Sequence, residues 1–321
     1  MLYKLLRPIL FLFDPECVHN ILIYLLSLVP VRWILSLLYY YENPALEKTL
    51  LGITFKNPVG LAAGFDKNAK ALLAWQALGF GFIEVGTVTP RPQFGNPKPR
   101  LFRLQKEKAL VNCMGFNNDG VERVLERIQK AKPGLHIPVG LNIGKNKETP
   151  LEQAADDYVF CIKKANLYVD FFVVNISSPN TPELRRLQEP SYFKHLLECI
   201  KHVSQKPLFI KISPDIAQKD LEDMIHIAQE LNIAGFVATN TMVVAQGGMS
   251  GAPLEEKSTA LLKRLKELSK DLVLIGVGGI FSEHDALRKF NAGADLIELY
   301  TGFIFQGPSL ISRIHRSNKK P

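Results

Sequence analysis

The sequence predicts an α/β protein, a (β/α)8 TIM barrel with an N-terminal helical extension. Three observations carry that expectation. From residue 59 onward, short apolar, β-branched runs alternate with amphipathic segments, the order that produces a parallel sheet flanked by helices. There are eight such runs, the number that closes a barrel. The chain has 321 residues, against roughly 250 for that fold, which leaves room for an extension and one insertion. A doubly wound open sheet is the alternative, but it needs a second domain, and no linker for one is visible. The expected division is residues 1–41 as a helical, membrane-associated extension and 42–321 as the barrel.

In the extension, Leu2 to Phe13 is apolar apart from Lys4 and Arg7. Asp14-Pro15-Glu16 has the form of a helix start, with Asp14 as N-cap, Pro15 at the first helical position and an acid in the first turn. The helix that follows carries Val18, Ile21, Leu22, Leu25, Leu28 and Val29 on one stripe, while Glu16, Asn20 and Ser27 form only a narrow polar seam. The apolar run before Asp14 is short and no small-residue cleavage site follows it, which argues against a signal peptide. Ile21 to Tyr41 is long enough to span a bilayer, but Pro30 and Arg32 would sit in mid-span, where a charge is expensive. Two short helices lying in the membrane interface suit the apolar excess, the basic ends and the Trp and Tyr residues better; a plain packing extension is the other reading.

The eight strand-like runs are Val59–Ala63, Gly81–Gly86, Val139–Ile143, Phe171–Ile176, Leu208–Ile212, Gly235–Thr239, Val273–Val277 and Leu296–Tyr300. Helical segments between them include Ala69–Leu78, Val121–Ala131, Leu151–Ala165, Tyr192–Val203, Leu221–Leu231, Leu254–Leu268 and Ala286–Phe290. The insertion lies between Thr87 and Gly120. It is rich in Pro and Gly and holds two strand-like runs, Arg100–Leu104 and Ala109–Asn112, which read as a hairpin over the barrel mouth. The basic stretch Arg313 to Lys320 reads as a solvated tail.

Hydrophobic content of 47% and charged content of 22% are ordinary for a globular protein. A net charge of +8 favours anionic partners, such as phosphorylated ligands, carboxylates or an acidic lipid surface. No nucleic-acid motif is present, so no nucleic-acid partner is expected. Cys17, Cys113, Cys161 and Cys199 lie far apart, and no His pair has metal-ligand spacing, so neither a disulfide framework nor a metal is expected.

Barrel enzymes place their chemistry at the C-terminal ends of the strands. Here those ends are dense in polar and small residues. The first run closes on Ala63-Gly64-Phe65-Asp66-Lys67, the second on Gly86-Thr87, and the third carries Asn142. The fourth stops in Asn175-Ile176-Ser177-Ser178-Pro179-Asn180-Thr181, polar groups that are costly at the end of a buried strand unless something satisfies them. Lys211 lies inside the fifth, between Ile210 and Ile212. The sixth ends Thr239-Asn240-Thr241, the seventh Gly278-Gly279 and the eighth Tyr300-Thr301. Glycines after the seventh and eighth strands expose backbone N–H groups where this fold holds phosphate. Four Asn around one mouth suit a flat polar ligand. A buried Lys211 needs an anion or an electron-rich group to offset it; a snorkelling edge lysine is the other reading.

With these residues assembled, the chain resembles the dihydroorotate dehydrogenases, in particular their quinone-linked, membrane-associated class. The residues that carry the resemblance are Asn57-Pro58-Val59-Gly60-Leu61-Ala62-Ala63-Gly64, Gly86-Thr87-Val88-Thr89-Pro90-Arg91-Pro92, Met114-Gly115-Phe116-Asn117-Asn118, Asn142-Ile143-Gly144-Lys145-Asn146, the Asn175–Thr181 segment and Ile275-Gly276-Val277-Gly278-Gly279-Ile280. The resemblance implies FMN-dependent oxidation of (S)-dihydroorotate to orotate in de novo pyrimidine biosynthesis, with a ubiquinone-type membrane quinone as acceptor. It places the catalytic base at Ser178, where the soluble class has Cys. It implies that Ala63, Gly64, Phe65, Asp66, Lys67, Thr87, Asn142, Asn175, Lys211, Thr239, Gly251, Gly279, Tyr300 and Thr301 hold FMN. Lys67, Asn112, Cys113, Met114, Gly115, Phe116, Asn175, Asn180, Asn240 and Thr241 would hold the pyrimidine. Residues 1–41 would give the quinone access to the flavin edge, on a monomer bound peripherally to the cytoplasmic face of the inner membrane. The chain departs from the family pattern at Cys113, where a bulkier or basic residue is more usual, at Thr301, more often Ser, and in the short connection Met242–Gln246.

Three rivals remain at this point. A non-redox barrel acting on a sugar phosphate would use Lys211 as a Schiff-base or charge-stabilising lysine. A binding-only membrane scaffold would tolerate loss of Ser178. The soluble class would pass its electrons to fumarate or NAD.

Overall fold

The computed structural model describes residues 2 to 317. The chain opens with three helices, α1 (Leu2–Leu10), α2 (Pro15–Ser27) and α3 (Val29–Tyr39). Asp14 caps α2 as its sequence predicts, its Oδ1 accepting the Cys17 N–H at 2.8 Å. Pro30 cannot donate an N–H to continue the α2 ladder, and the chain turns at extended Leu28, so α2 and α3 meet at 89°. Among the described residues no single helix is long and apolar enough to cross a membrane. The pair instead turns Ile21, Tyr24, Val29, Trp33, Leu37 and Leu38 outward.

Next comes a hairpin that was not legible in the sequence pattern, β1 (Lys48–Leu50) with β2 (Ile53–Phe55). Its turn, Leu51-Gly52, has positive φ at both residues (53° and 76°), as the twist of a two-residue hairpin requires. Leu at the first of these positions conceals the turn. Phe55 plugs the N-terminal end of the barrel, edge-on to Phe82 at 5.3 Å and beside Phe171.

The remaining strands are β3 (Val59–Leu61), β4 (Phe82–Val88), β5 (Leu101–Leu104), β6 (Ala109–Asn112), β7 (Val139–Ile143), β8 (Phe171–Asn175), β9 (Leu208–Ile212), β10 (Gly235–Ala238), β11 (Met242–Val244), β12 (Gly247–Gly251), β13 (Val273–Val277) and β14 (Leu296–Leu299). Strands β3, β4, β7, β8, β9, β10, β13 and β14 close in that order into a barrel in which every neighbouring pair is parallel. They correspond to the eight expected runs, and every residue of the eight strands is buried. All seven expected helices are present, with ends shifted by a few residues. Ala69–Leu78 shortens to Leu72–Ala77 because Ala69 takes a positive φ of 55°.

The expected hairpin over the mouth, β5–β6, forms, but it is half of a larger unit. The short 242–246 connection folds back as a second hairpin, β11–β12, and β12 pairs with β6 into a four-stranded antiparallel sheet. Gly247-Gly248-Met249-Ser250-Gly251 lacks the side chains that mark a strand, which hid it. The supposed solvated tail is also corrected in part. Ser309–Ser317 is a helix burying Leu310, Ile311, Ile314 and His315, and Arg313 pairs with Glu283 at 3.3 Å. Residues 318–320 lie outside the described residues.

Candidate active site

A cavity of about 1050 Å³ opens at the C-terminal ends of the barrel strands and runs outward to α2 and α3. Its floor is ionic. Lys211, from β9, is buried and donates to both carboxylate oxygens of Glu84 on β4, at 3.1 and 3.2 Å. Glu298 of β14 stands 3.5 Å from the same ammonium, and its oxygens have no hydrogen-bond partner. Burial pulls the Lys211 ammonium down, but the two neighbouring acids outweigh it and hold its pKa above the ordinary value. Burial, reinforced by Glu84, pushes Glu298 well above the carboxylate range. These opposing shifts favour a charged Lys211 and a neutral Glu298, with the Glu84 carboxylate hydrogen-bonded to the lysine. A cationic lysine locked between acids is neither a snorkelling edge residue nor a free amine ready for a Schiff base.

The amides stand on this floor. Asn142 donates to Glu84 at 2.5 Å, and its Oδ1 accepts from Thr87 at 2.5 Å and from Asn175 at 3.2 Å. Asn175 also donates to the Thr87 hydroxyl at 2.9 Å. Asn240 donates to Asn175 Oδ1 at 3.3 Å and to Ser177 Oγ at 3.0 Å, and Ser177 donates to the Lys211 carbonyl at 2.6 Å. Every amide orientation is thus set by a neighbour. Ser178, next in the loop, is buried against the cavity, and its Oγ accepts the Asn180 N–H at 3.3 Å. The rim is tied across the mouth. Asn180 donates to the Asn112 side chain at 3.1 Å, and Asn112 donates to the Gly248 carbonyl at 3.2 Å. Thr241 lies directly under β12, where a Cβ on Gly248 would come within 2.1 Å of its hydroxyl.

On the opposite side, Tyr300 donates to the Gly64 carbonyl at 3.2 Å, and the Ser250 and Thr301 hydroxyls meet at 2.8 Å. Among the described residues, neither Gly278 nor Gly279 gives its backbone N–H to a protein acceptor. Two unspent N–H groups after the seventh strand, a row of fixed amides and a cation on the floor fit a flat heterocycle with an anionic tail.

Toward α2 the cavity is basic. Burial, with the charge of Arg100, brings Lys67 down to about 8. Arg100 grips Glu16 of α2 with two nitrogens, at 2.7 and 3.1 Å, and Lys98 lies 3.5 Å away. Burial acts to raise Glu16, but the Arg100 hydrogen bonds and charge override it and hold it below its usual value. His19 packs edge-on to Phe65 at 5.5 Å, and burial, helped by Lys67, pulls it down to about 4.

The structure brings Ala63, Gly64, Phe65, Lys67, Thr87, Asn112, Met114, Gly115, Phe116, Asn175, Ser178, Asn180, Lys211, Thr239, Asn240, Thr241, Gly251, Gly279, Tyr300 and Thr301 around this one cavity. Three expected residues stand apart. Asn142 lies behind Thr87 and positions it. Asp66 reaches the cavity edge, yet its carboxylate is taken by the backbone N–H groups of Lys70 and Ala71 and by the Trp75 indole, at 2.8 to 3.0 Å, so it shapes the loop. Cys113 does not line the cavity; its backbone bonds to Arg100 and Asn96 instead. Sequence reasoning missed Glu84 and Glu298, although an acid within an apolar run (Phe82-Ile83-Glu84-Val85 and Leu296-Ile297-Glu298-Leu299) signals a buried charge. It also missed Glu16, His19 and Arg100, whose meeting depends on how α2 docks.

Residues 45–320 match the family model described as dihydroorotate dehydrogenase. A relative from Christiangramia forsetii named dihydroorotate dehydrogenase (quinone) is 46% identical over 98% of each chain. One of the same name from Thermus thermophilus is 43% identical over 95% of this chain and 92% of its own. A crystal structure of the DHODH of Eimeria tenella in complex with ferulenol superposes with a TM-score of 0.87 at 34% identity, covering 95% of this chain and 90% of that one.

Proposed function

The chain belongs to the dihydroorotate dehydrogenase family, and from that premise we propose how its residues divide the work. It oxidises dihydroorotate to orotate in pyrimidine biosynthesis and passes the electrons to a quinone. Its flavin is FMN. The observation that carries this reading is the pairing, in one cavity, of a cationic Lys211 held by two buried acids with the Ser178 hydroxyl across the amide row.

FMN, when bound, supplies the hydride acceptor and the site from which a quinone withdraws electrons. Thr87, Asn175, Thr239 and Lys211 would hold its ring, and the Lys211 cation would oppose negative charge developing on it. The N–H groups of Gly278 and Gly279, with Gly251, Tyr300 and Thr301, hold its phosphate. Asn112, Asn180, Asn240 and Thr241 orient the dihydropyrimidine, and Lys67 offsets its carboxylate. Ser178 Oγ takes the proton from C5. A hydroxyl is a weak base at neutral pH, so Ser178 hands on its own proton as it does so, through water or the neighbouring Thr181.

Residues 1–41 form the membrane-facing unit and 42–321 the FMN-binding catalytic barrel. The exposed apolar side chains of α2 and α3 rest on the lipid, and the channel past His19 and Arg100 admits the quinone. The enzyme acts as a monomer at the cytoplasmic face of the inner membrane. Mass analysis of the flavin released from purified protein tests the cofactor assignment. FMN at one per chain supports it, whereas FAD or an absent flavin contradicts it.

A further inference from the structure

We propose that Lys289, a buried lysine outside the cavity, is a positioning residue for the phosphate end of the flavin site. The proposal rests on the reading of Gly278-Gly279 as that end. Lys289 has no exposed surface. Its ammonium donates to the Glu255 carbonyl at 3.2 Å, to Ser258 Oγ at 2.5 Å and to Thr259 Oγ1 at 2.7 Å. All three acceptors belong to the first turns of the Glu255–Leu268 helix. The glycine pair is seated on that same turn. A Cβ on Gly279 would come within 2.2 Å of Glu255 Cβ, and one on Gly278 within 3.0 Å of Ser258 Oγ. Ser258 lies 3.2 Å from the Gly278 carbonyl as well. Lys289 therefore fixes the turn on which the glycine pair rests.

Among the described residues Lys289 makes no salt bridge; the Glu255 carboxylate is taken by Arg288 at 2.9 Å. A buried ammonium with no carboxylate in contact is costly, and burial outweighs the nearby Glu255 and Asp285 and brings this one down to about 7. A phosphate on the far side of Gly278-Gly279 is the anion that offsets it.

The test compares FMN with riboflavin, which lacks the phosphate, on the full-length chain freed of flavin. Quenching of flavin fluorescence gives both dissociation constants for the wild type, Lys289→Met and Ser258→Ala. Wild-type protein binds FMN more tightly than riboflavin; if it shows no preference, the phosphate reading of the glycine pair fails first. With that preference present, Lys289→Met weakens FMN by about tenfold, roughly 1.4 kcal/mol, and leaves riboflavin unchanged. Ser258→Ala shifts FMN in the same direction by a smaller factor and decides the matter if the Met variant does not fold. Equal loss of both ligands, or no loss of either, overturns the proposal.

Discussion

Substitution of Glu84 by Gln probes the ionic floor directly. The change removes a carboxylate with no exposed surface and leaves Lys211 with Glu298 alone, 3.5 Å away. Stripping one partner from a buried ion pair ordinarily costs about 3–5 kcal/mol. Here burial and Glu84 favour the neutral form of Glu298, and with Glu84 gone it can ionise and replace it. The expected cost of Glu84→Gln is therefore only about 1–2 kcal/mol, close to a weakened bond to Asn142. Because burial and Glu84 favour the neutral form of Glu298, Glu298→Gln is a swap of like shape and costs about 0.5 kcal/mol or less. The double variant leaves the ammonium without an anion and costs about 3–5 kcal/mol, more than the singles combined. Urea unfolding of the four full-length proteins at pH 7, without flavin, completes the cycle. Strict additivity refutes the reasoning, and so does a Glu298→Gln cost equal to that of Glu84→Gln, which means that Glu298 is ionised in the wild type.

Ser178→Ala is expected to slow flavin reduction by dihydroorotate by about 10²–10⁴-fold while reoxidation by quinone keeps its rate; rapid-mixing absorbance separates the two, and a parallel fall in both contradicts the role of Ser178. Removal of residues 1–41 should abolish binding to anionic vesicles and most quinone turnover, with dihydroorotate still bleaching the flavin; full quinone turnover in the truncated protein contradicts the assignment of that segment. His315 is buried without a hydrogen-bond partner, and burial lowers it from 6.5 to about 4. The unfolded chain then binds the extra proton first, so this contribution is intact above pH 6.5 and lost as pH falls toward 4, about 3 kcal/mol in all. His315→Phe should flatten the acid limb of a stability profile, and an unchanged slope contradicts that sign.

The barrel was legible because each parallel strand is buried on both faces, and such strands read as unbroken apolar runs. The polar mouth was legible for a related reason. Asn142, Asn175 and Lys211 interrupt those runs where nothing in the strand itself needs them. What stayed hidden depends on approach between distant segments. Arg100 is unremarkable in its loop until Glu16 arrives from 84 residues away. The β11–β12 hairpin consists of glycines on one side, and it is a strand pair only because β6 offers an edge. Asp66 sits in a motif that resembles a ligand site, yet its oxygens go to Lys70, Ala71 and Trp75, a local demand that residue spacing does not reveal. Glu84 and Glu298 were visible as residues, but their common hold on one lysine follows only from seeing both beside it.

The most direct measurement is an anaerobic titration of the yellow, full-length protein with dihydroorotate, followed through the flavin absorbance and completed by adding a quinone. Bleaching by one equivalent per chain, with full recovery of colour on quinone addition, is the expected result. A flavin that dihydroorotate leaves oxidised, or one that dihydroorotate bleaches but no quinone restores, contradicts it.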